Sequence, residues 1–171
     1  MSMQGEGRRA FTKRRQILLA PSEVQGHNKW GELQEDIMDY DDVRLDLPQK
    51  GKTHGMMIQH GLKTIKQYIS GGPHTYIIGY TADPCGRWAR KHYSYLNDKT
   101  RKWQKMIILL LSTNSTAAAA WEAALISHHL DKPGCKNENL GGDGEHKQPD
   151  DPYLDGIFAV YLVLRDLSPG K

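Results

Sequence analysis

Between Thr116 and Ile126 there is one charged residue, Glu122, set among Ala117 to Ala120, Trp121, Ala123, Ala124 and Leu125. At helical spacing its neighbours are Ala118, Leu125 and Ile126. A carboxylate in such company is costly unless an arginine, a hydrogen-bond network or a metal ion pairs with it. The plainer alternative is a Glu at the solvent edge of its helix, but a surface helix usually carries more than one charge in three turns. Upstream, "DPCGRWARKH" offers Arg87, with Arg90 and Lys91 at i+3 and i+4. The planar fork of arginine pairs with phosphate oxygens two at a time; the alternative is a solvated basic face. Downstream, "NENLGGDG" runs from Asn137 to Gly144. Its paired glycines permit a sharp turn, and Asn137 can tie the loop through side-chain to backbone hydrogen bonds. Gly141 and Gly142 are no phosphate-binding fingerprint, because no strand precedes them and no Gly-Lys-Ser/Thr follows.

Taken in order, these segments form a combination that none of them makes alone. "IIGYT" ends a strand, "DPCGRWARKH" brings an Arg and a His, "WEAALI" brings the isolated Glu, and "NENLGGDG" closes the series. The combination, over about residues 74–144, resembles the GIY-YIG nuclease family. That resemblance implies a metal-dependent endonuclease that hydrolyses DNA phosphodiester bonds, leaving a 5′-phosphate and a 3′-hydroxyl. By the same resemblance Glu122 would hold a single divalent ion, Mg²⁺ or Mn²⁺, which stabilises the leaving oxygen. Arg87 would neutralise charge in the transition state. A tyrosine would orient or deprotonate the attacking water. Gly79 belongs to the second half-motif, and Asn137 would brace the site from behind.

Two departures from the family pattern bear on the tyrosine. Where the second half-motif has a Tyr two places before its Gly, this chain has Ile77, and the nearest tyrosines are Tyr76 and Tyr80. Strand alternation puts those two on one face and Ile77 on the other. The first half-motif, Gly-Ile-Tyr, is absent from its expected place. "KQYIS" with Tyr68 stands there only if 64–69 is a strand. "GIFAVY", with Phe158 in the tyrosine position, lies near the C-terminus. A rearranged sheet, in which this C-terminal strand fills the place of the missing one, would bring residues 157–164 close to Tyr76 and Arg87. Tyr76, Tyr80, Tyr68 and His92 all remain candidates for the base.

The elements that must position these residues can be read from periodicity. Ile58, Leu62, Ile65 and Ile69 recur at helical spacing and end at Ser-Gly-Gly-Pro, predicting a helix over 55–69. "TYIIGYT" is β-branched and aromatic, hence a strand. Asp83-Pro84 fits an N-cap and first position, so a helix is expected over about 84–96. "MIILLLS" and "GIFAVYLVL" read as buried strands, and Asn114 or Ser115 caps an Ala-rich helix between them. An acidic belt over 32–46 reads as a solvated helix face followed by a loop, lying away from any nucleic-acid face. The expected fold is α+β, a small, mainly antiparallel sheet of about three to four strands flanked by helices.

The 171 residues suit one domain, 17–171, behind a basic arm over 1–16 that is either a poorly ordered tail, an arm on nucleic acid or a localisation signal. A net charge of +3 does not by itself name a partner. Basic and aromatic residues interleave in Trp88, Tyr93, Tyr95 and Trp103 with Arg90, Lys91, Arg101 and Lys102. This suits a nucleic-acid surface, DNA first with RNA open, or a helix that buries its rings. No apolar run is long enough for a membrane span and no apolar leader opens the chain. The expectation is therefore an intracellular protein, cytoplasmic or nuclear. Cys85 and Cys135 are too few for a disulfide framework, and His92, His128, His129, Cys135 and His146 match no zinc spacing. Two other readings stand beside the nuclease: an inactive binding module on the same scaffold, and an interaction protein using the acidic segment.

Overall fold

The computed structural model describes residues 20–49, 53–140 and 155–168. The basic arm, the glycines Gly141, Gly142 and Gly144, and His146 lie outside them. In chain order the elements are α1 (Ser22–Gln25), α2 (Trp30–Asp39), β1 (Val43–Leu45), α3 (His54–Ile69) and β2 (His74–Thr81). After β2 come a π-helical turn (Gly86–Arg90) and a 3-10 turn (Tyr95–Asn97). The chain closes with β3 (Lys105–Ser112), α4 (Ser115–His129) and β4 (Phe158–Asp166). These strands form a mixed four-stranded sheet in the order β1-β3-β4-β2. The β1–β3 pair is parallel, and β4 runs antiparallel to both β3 and β2.

Alternation along β4 builds two cores. Ala159, Tyr161 and Val163 face one side with Ile77, Cys85, Trp88, Tyr95 and Trp103, beneath α1, α2 and the short turns. Phe158, Val160, Leu162 and Leu164 face the other side with Tyr76, Ile78 and the apolar residues of α3 and α4. A strand covered on both faces needs a continuous apolar run, which is what "FAVYLVL" supplies. In β3 a bulge between Ile108 and Leu110 resets the alternation, so Leu109 and Leu110 both join the second core.

Helix α4 starts where Asn114 accepts a hydrogen bond from the Ala117 amide at 3.0 Å, satisfying one of the first-turn donors. Helix α3 starts at Thr53 in the same way, from the Met56 amide at 3.3 Å. Because 54–69 is helical, Tyr68 stands on no strand. The single helix expected over 84–96 is instead broken. Asp83 does cap it, its carboxylate accepting from the Gly86 amide at 3.0 Å and its carbonyl from the Arg87 amide at 2.9 Å. The chain then widens to an i to i+5 pattern, Lys91 amide to Gly86 carbonyl at 3.1 Å, and turns away after Arg90. Such π-turns redirect side chains and recur at functional sites. The acidic belt also differs from expectation. Its helix is anchored by buried Trp30 and Ile37, and its tail forms β1, because Val43 and Leu45 fill the first core.

Under the second core, Tyr76 and His129 form a buried pair, hydroxyl to Nδ1 at 2.9 Å. Burial pushes the His129 imidazole down to about 4, with Lys132 and His128 adding to it. The unfolded chain takes up this proton near pH 6.5 while the folded chain resists until about 4, so stability falls as pH drops through that window. The loss attributable to His129 is at most about 3 kcal/mol. Urea midpoints at pH 7.5 and 4.5 should therefore separate further for the wild type than for His129→Gln. Equal separations would show that His129 does not titrate against the fold.

Candidate active site

Strand β2 is an edge strand, and its outward backbone groups must be met by something. The segment after α4 does so along most of its length. The Tyr76 amide donates to the Gly134 carbonyl at 2.9 Å, and the Lys136 amide donates to the Tyr76 carbonyl at 2.8 Å. Gly134 has φ +87°, and a β-carbon there would run into the His74 carbonyl oxygen, so glycine is required for this approach. One step further the side chain of Asn137 imitates a strand. It accepts from the Ile78 amide at 2.9 Å and donates to the Ile78 carbonyl at 2.8 Å. At the next outward position the Tyr80 amide hydrogen-bonds the Glu122 carboxylate. Asn137 and Glu122 thus cap consecutive steps of one strand, which fixes both relative to Gly79.

On the inner side of β2, Gly79 pairs with Tyr161 of β4. The phenol lies over the glycine, and a β-carbon on Gly79 would sit 2.5 Å from its hydroxyl. That hydroxyl shares a hydrogen bond of 2.8 Å with the hydroxyl of Tyr95 and is a side-chain hydrogen-bond neighbour of Arg87. Arg87 is 5% exposed. Its Nη1 donates to the Tyr93 carbonyl at 2.9 Å, and its guanidinium lies 4.7 Å from the Tyr95 ring centroid and 5.3 Å from that of Tyr93. Planarity makes this double stacking possible for Arg and poor for Lys.

Burial dominates the protonation of the group. It pushes Glu122, 3% exposed, up to about 8 against the pull of the Tyr80 amide. It pushes Tyr161 well above the ordinary phenol value, with Tyr95 adding to the rise, and raises Tyr95, on which the charge of Glu122 acts in the same direction. Both phenols therefore stay protonated at neutral pH. They act as neutral hydroxyls and do not carry a standing negative charge. Glu122 is a desolvated carboxyl group held in place by a backbone amide, and below about pH 8 it keeps its proton until a cation takes the proton's place. Such a donor fits a magnesium-type ion, which commonly takes one or two carboxylates and fills its remaining positions with water and substrate oxygens.

Several residues that the sequence offers as candidates fall elsewhere in the molecule. Tyr76 is on the opposite face of the sheet from Arg87, bonded to His129 and pushed up to about 12 by burial. Tyr80 also packs its ring against that second core, while its backbone amide meets Glu122. Tyr68 stands on α3 with its hydroxyl 3.4 Å from Asp46. Phe158, the literal counterpart of a Gly-Ile-Tyr tyrosine, points into the second core as well. His92 is on the outside of the turn, edge-on to Tyr93 at 5.0 Å. Beside Arg87 stand Tyr93, through its carbonyl and ring, and the buried Tyr161 and Tyr95. Residue spacing singles out none of them, and the signal for Tyr161 is its register: it is the β4 residue opposite Gly79.

No protein-family profile, curated protein or solved structure matches this chain. Among the described residues no group of three or more His, Cys, Asp or Glu is placed to hold a metal ion, and no helix is long and apolar enough to cross a membrane.

The basic residues divide. Arg90 is engaged by α2 and by the turn's own cap, reaching Asp36 at 3.1 and 3.2 Å and Asp83 at 2.9 Å. The acidic helix therefore meets the arginine turn instead of lying away from it. Arg101 and Lys102 flank the far end of β4, where Arg165 donates to the Arg101 carbonyl at 3.1 Å and Arg101 pairs with Asp98 at 3.6 Å. Lys91 lies 5.6 Å from the Tyr93 ring centroid, on the same turn as Arg87. If this face meets DNA, Arg90→Gln should leave the salt dependence of that binding unchanged, whereas Lys91→Gln should flatten its slope by about one. The check is a titration of affinity against salt; a flatter slope for Arg90→Gln would mean that the clasp opens onto phosphate.

Proposed function

We propose that this chain is a GIY-YIG-like, metal-dependent endonuclease acting on DNA, in which the C-terminal strand β4 stands in for the missing first half-motif. The observation that carries the reading is the register of β4 against β2, which sets Tyr161 over Gly79 and beside Arg87. A phosphate seated at Arg87 would meet a buried guanidinium already fixed by two rings and a carbonyl, so little reorganisation is needed as charge develops. Tyr161 and Tyr95, both protonated, would orient the attacking water. Asn137 holds the β2 edge and Gly79 leaves room for the phenol. Glu122 would hold the Mg²⁺ or Mn²⁺, which supplies charge stabilisation at the leaving 3′-oxygen. Hydrolysis forms one P–O bond from water and breaks the bond to the 3′-oxygen, giving a 5′-phosphate and a 3′-hydroxyl.

The test is nicking of supercoiled plasmid with Mg²⁺, with Mn²⁺ and with EDTA. Cleavage that requires metal, falls with Tyr161→Phe and persists in Tyr76→Phe is the expected pattern. Metal-independent nicking, or equal loss in both variants, would remove the assignment. If DNA is bound without cleavage under every metal condition, the chain is a binding module on this scaffold.

A further inference from the structure

Strand β4 carries a cation beyond the site. Alternation puts Tyr161, Val163 and Arg165 on one face and the next residue, Asp166, on the other. Arg165 therefore stands on the same side of the sheet as Tyr161, about 13 Å along the strand. Its Nη1 donates to the Arg101 carbonyl at 3.1 Å, which seats it against the loop over 98–104. That loop is tied down along its length. The Asp98 carboxylate accepts from the Thr100 and Arg101 amides at 3.2 and 3.0 Å, and the Asp98 carbonyl from the Lys102 amide at 3.2 Å. Gln104 bonds β4 twice, its amide donating to the Leu164 carbonyl at 3.0 Å and its side-chain oxygen accepting from the Asp166 amide at 2.8 Å. Trp103 is buried in the first core, edge-on to Tyr95 with ring centroids 6.2 Å apart. Around that anchor Lys99, Arg101 and Lys102 are exposed. Lys102 has φ +53°, a backbone conformation that few residues with a side chain adopt. Lys99, Lys102 and Arg165 make no ion pair with the described residues, and Arg101 meets Asp98 at 3.6 Å, Nε to Oδ2, with its side chain 56% exposed.

We infer that Lys99, Arg101, Lys102 and Arg165 form an anchoring surface for duplex DNA, gripping backbone phosphates about four base pairs to one side of the phosphate at Arg87. The inference rests on the nuclease reading and adds to it the footprint of the substrate. Like charges fixed side by side repel one another, and a polyanion relieves that repulsion. The cations are spread over a loop and a strand instead of converging on a point, which suits a repeating line of phosphates better than one small anion. Loop and site also share a face. Burial raises the Tyr95 phenol, and the charges of Arg87 and Arg101 both pull it back, so the two arginines act on the same ring. Contacts to the backbone position a duplex without reading its sequence. Because the anchor lies to one side of Arg87, the duplex must extend past the cut in one direction and not in the other.

The experiment measures duplex binding against salt, with Ca²⁺ in place of Mg²⁺, and maps the cut positions on end-labelled duplexes with Mg²⁺ or Mn²⁺. The proteins are wild type, the triple variant Lys99→Gln with Arg101→Gln and Lys102→Gln, the single variant Arg165→Gln, and the charge-keeping pair Lys99→Arg with Lys102→Arg. The triple variant should flatten the salt slope by about three and Arg165→Gln by about one, while the charge-keeping pair should match wild type. Thermal midpoints separate a lost contact from a lost fold, and Arg165→Gln tests the surface from a second element. Wild type should leave the last few base pairs at one end of each strand uncut, because the anchor has nothing to grip there, and the triple variant should lose that exclusion. An unchanged slope in the folded triple variant and in Arg165→Gln, or wild-type cuts that reach both ends alike, refutes the anchor even when Glu122-dependent nicking persists. A flattened slope with no cutting by any protein keeps the binding surface and removes the nuclease reading.

Discussion

Glu122→Gln is expected to abolish metal-dependent nicking and, in the same protein, to raise the melting temperature at pH 8. The two effects share one cause. Glu122 is 3% exposed in an alanine-rich helix, where desolvation drives its carboxyl up to about 8. Between pH 4.5 and about 8 the unfolded chain has released a proton that the folded chain still holds. Stability therefore falls as pH rises through that window, by at most about 5 kcal/mol. Glutamine keeps an oxygen for the Tyr80 amide and removes the titration. The variant should gain several degrees in thermal midpoint at pH 8 and show little difference at pH 5. Cleavage should fall about 10³-fold or more, since a lost metal contact is worth several kcal/mol in the transition state. Added Mg²⁺ should raise the wild-type midpoint at pH 8 and leave that of the variant unmoved. A variant that is less stable than wild type at pH 8, or one that still cleaves, would show that Glu122 is an ordinary structural carboxylate.

Arg87→Lys is expected to lose cleavage by about 10²- to 10³-fold and, unlike Glu122→Gln, to lose stability as well. The guanidinium donates to the Tyr93 carbonyl while stacking near Tyr95 and Tyr93 and bonding toward Tyr161. A lysine ammonium is a point charge that cannot make the planar contacts together, and it is more strongly hydrated, so burying it there is harder. The fold should lose about 2 kcal/mol, the scale of one charge-assisted hydrogen bond in a buried site. Urea midpoints and single-turnover nicking rates measure the two effects separately. An active Arg87→Lys would mean that a positive charge suffices and that the fork geometry has no part in the reaction.

Much of this arrangement can be read along the chain because the signals are local. The isolation of Glu122, the Asp83 cap before the arginine turn, and the three apolar strands each depend on neighbours within a few residues. The expected α+β sheet with flanking helices is what the chain forms. The short β1 is not legible, since three residues in an acidic segment become a strand only when β3 is there to pair with them. The π-turn is hidden because its pattern, one residue wider than an α-helix, has no signature in residue spacing. Arg90 reads as a phosphate ligand because Asp36, which occupies it, is 54 positions away.

The tyrosines separate the two kinds of information most clearly. Sequence proximity favours Tyr76 and Tyr80, and alternation puts both on the face away from Ile77, which is the face away from Arg87. Tyr161 lies 82 positions after Gly79, and only the antiparallel pairing of β2 with β4 brings them together. By itself the sequence determined which residue types the proposed chemistry would use: an isolated glutamate, a turn bearing an arginine, and an asparagine able to tie a loop. Which phenol stands opposite Gly79 and beside Arg87 was decided by strand register in the tertiary structure. A one-residue slip of β4 would turn Tyr161 to the opposite face and leave the glycine uncovered.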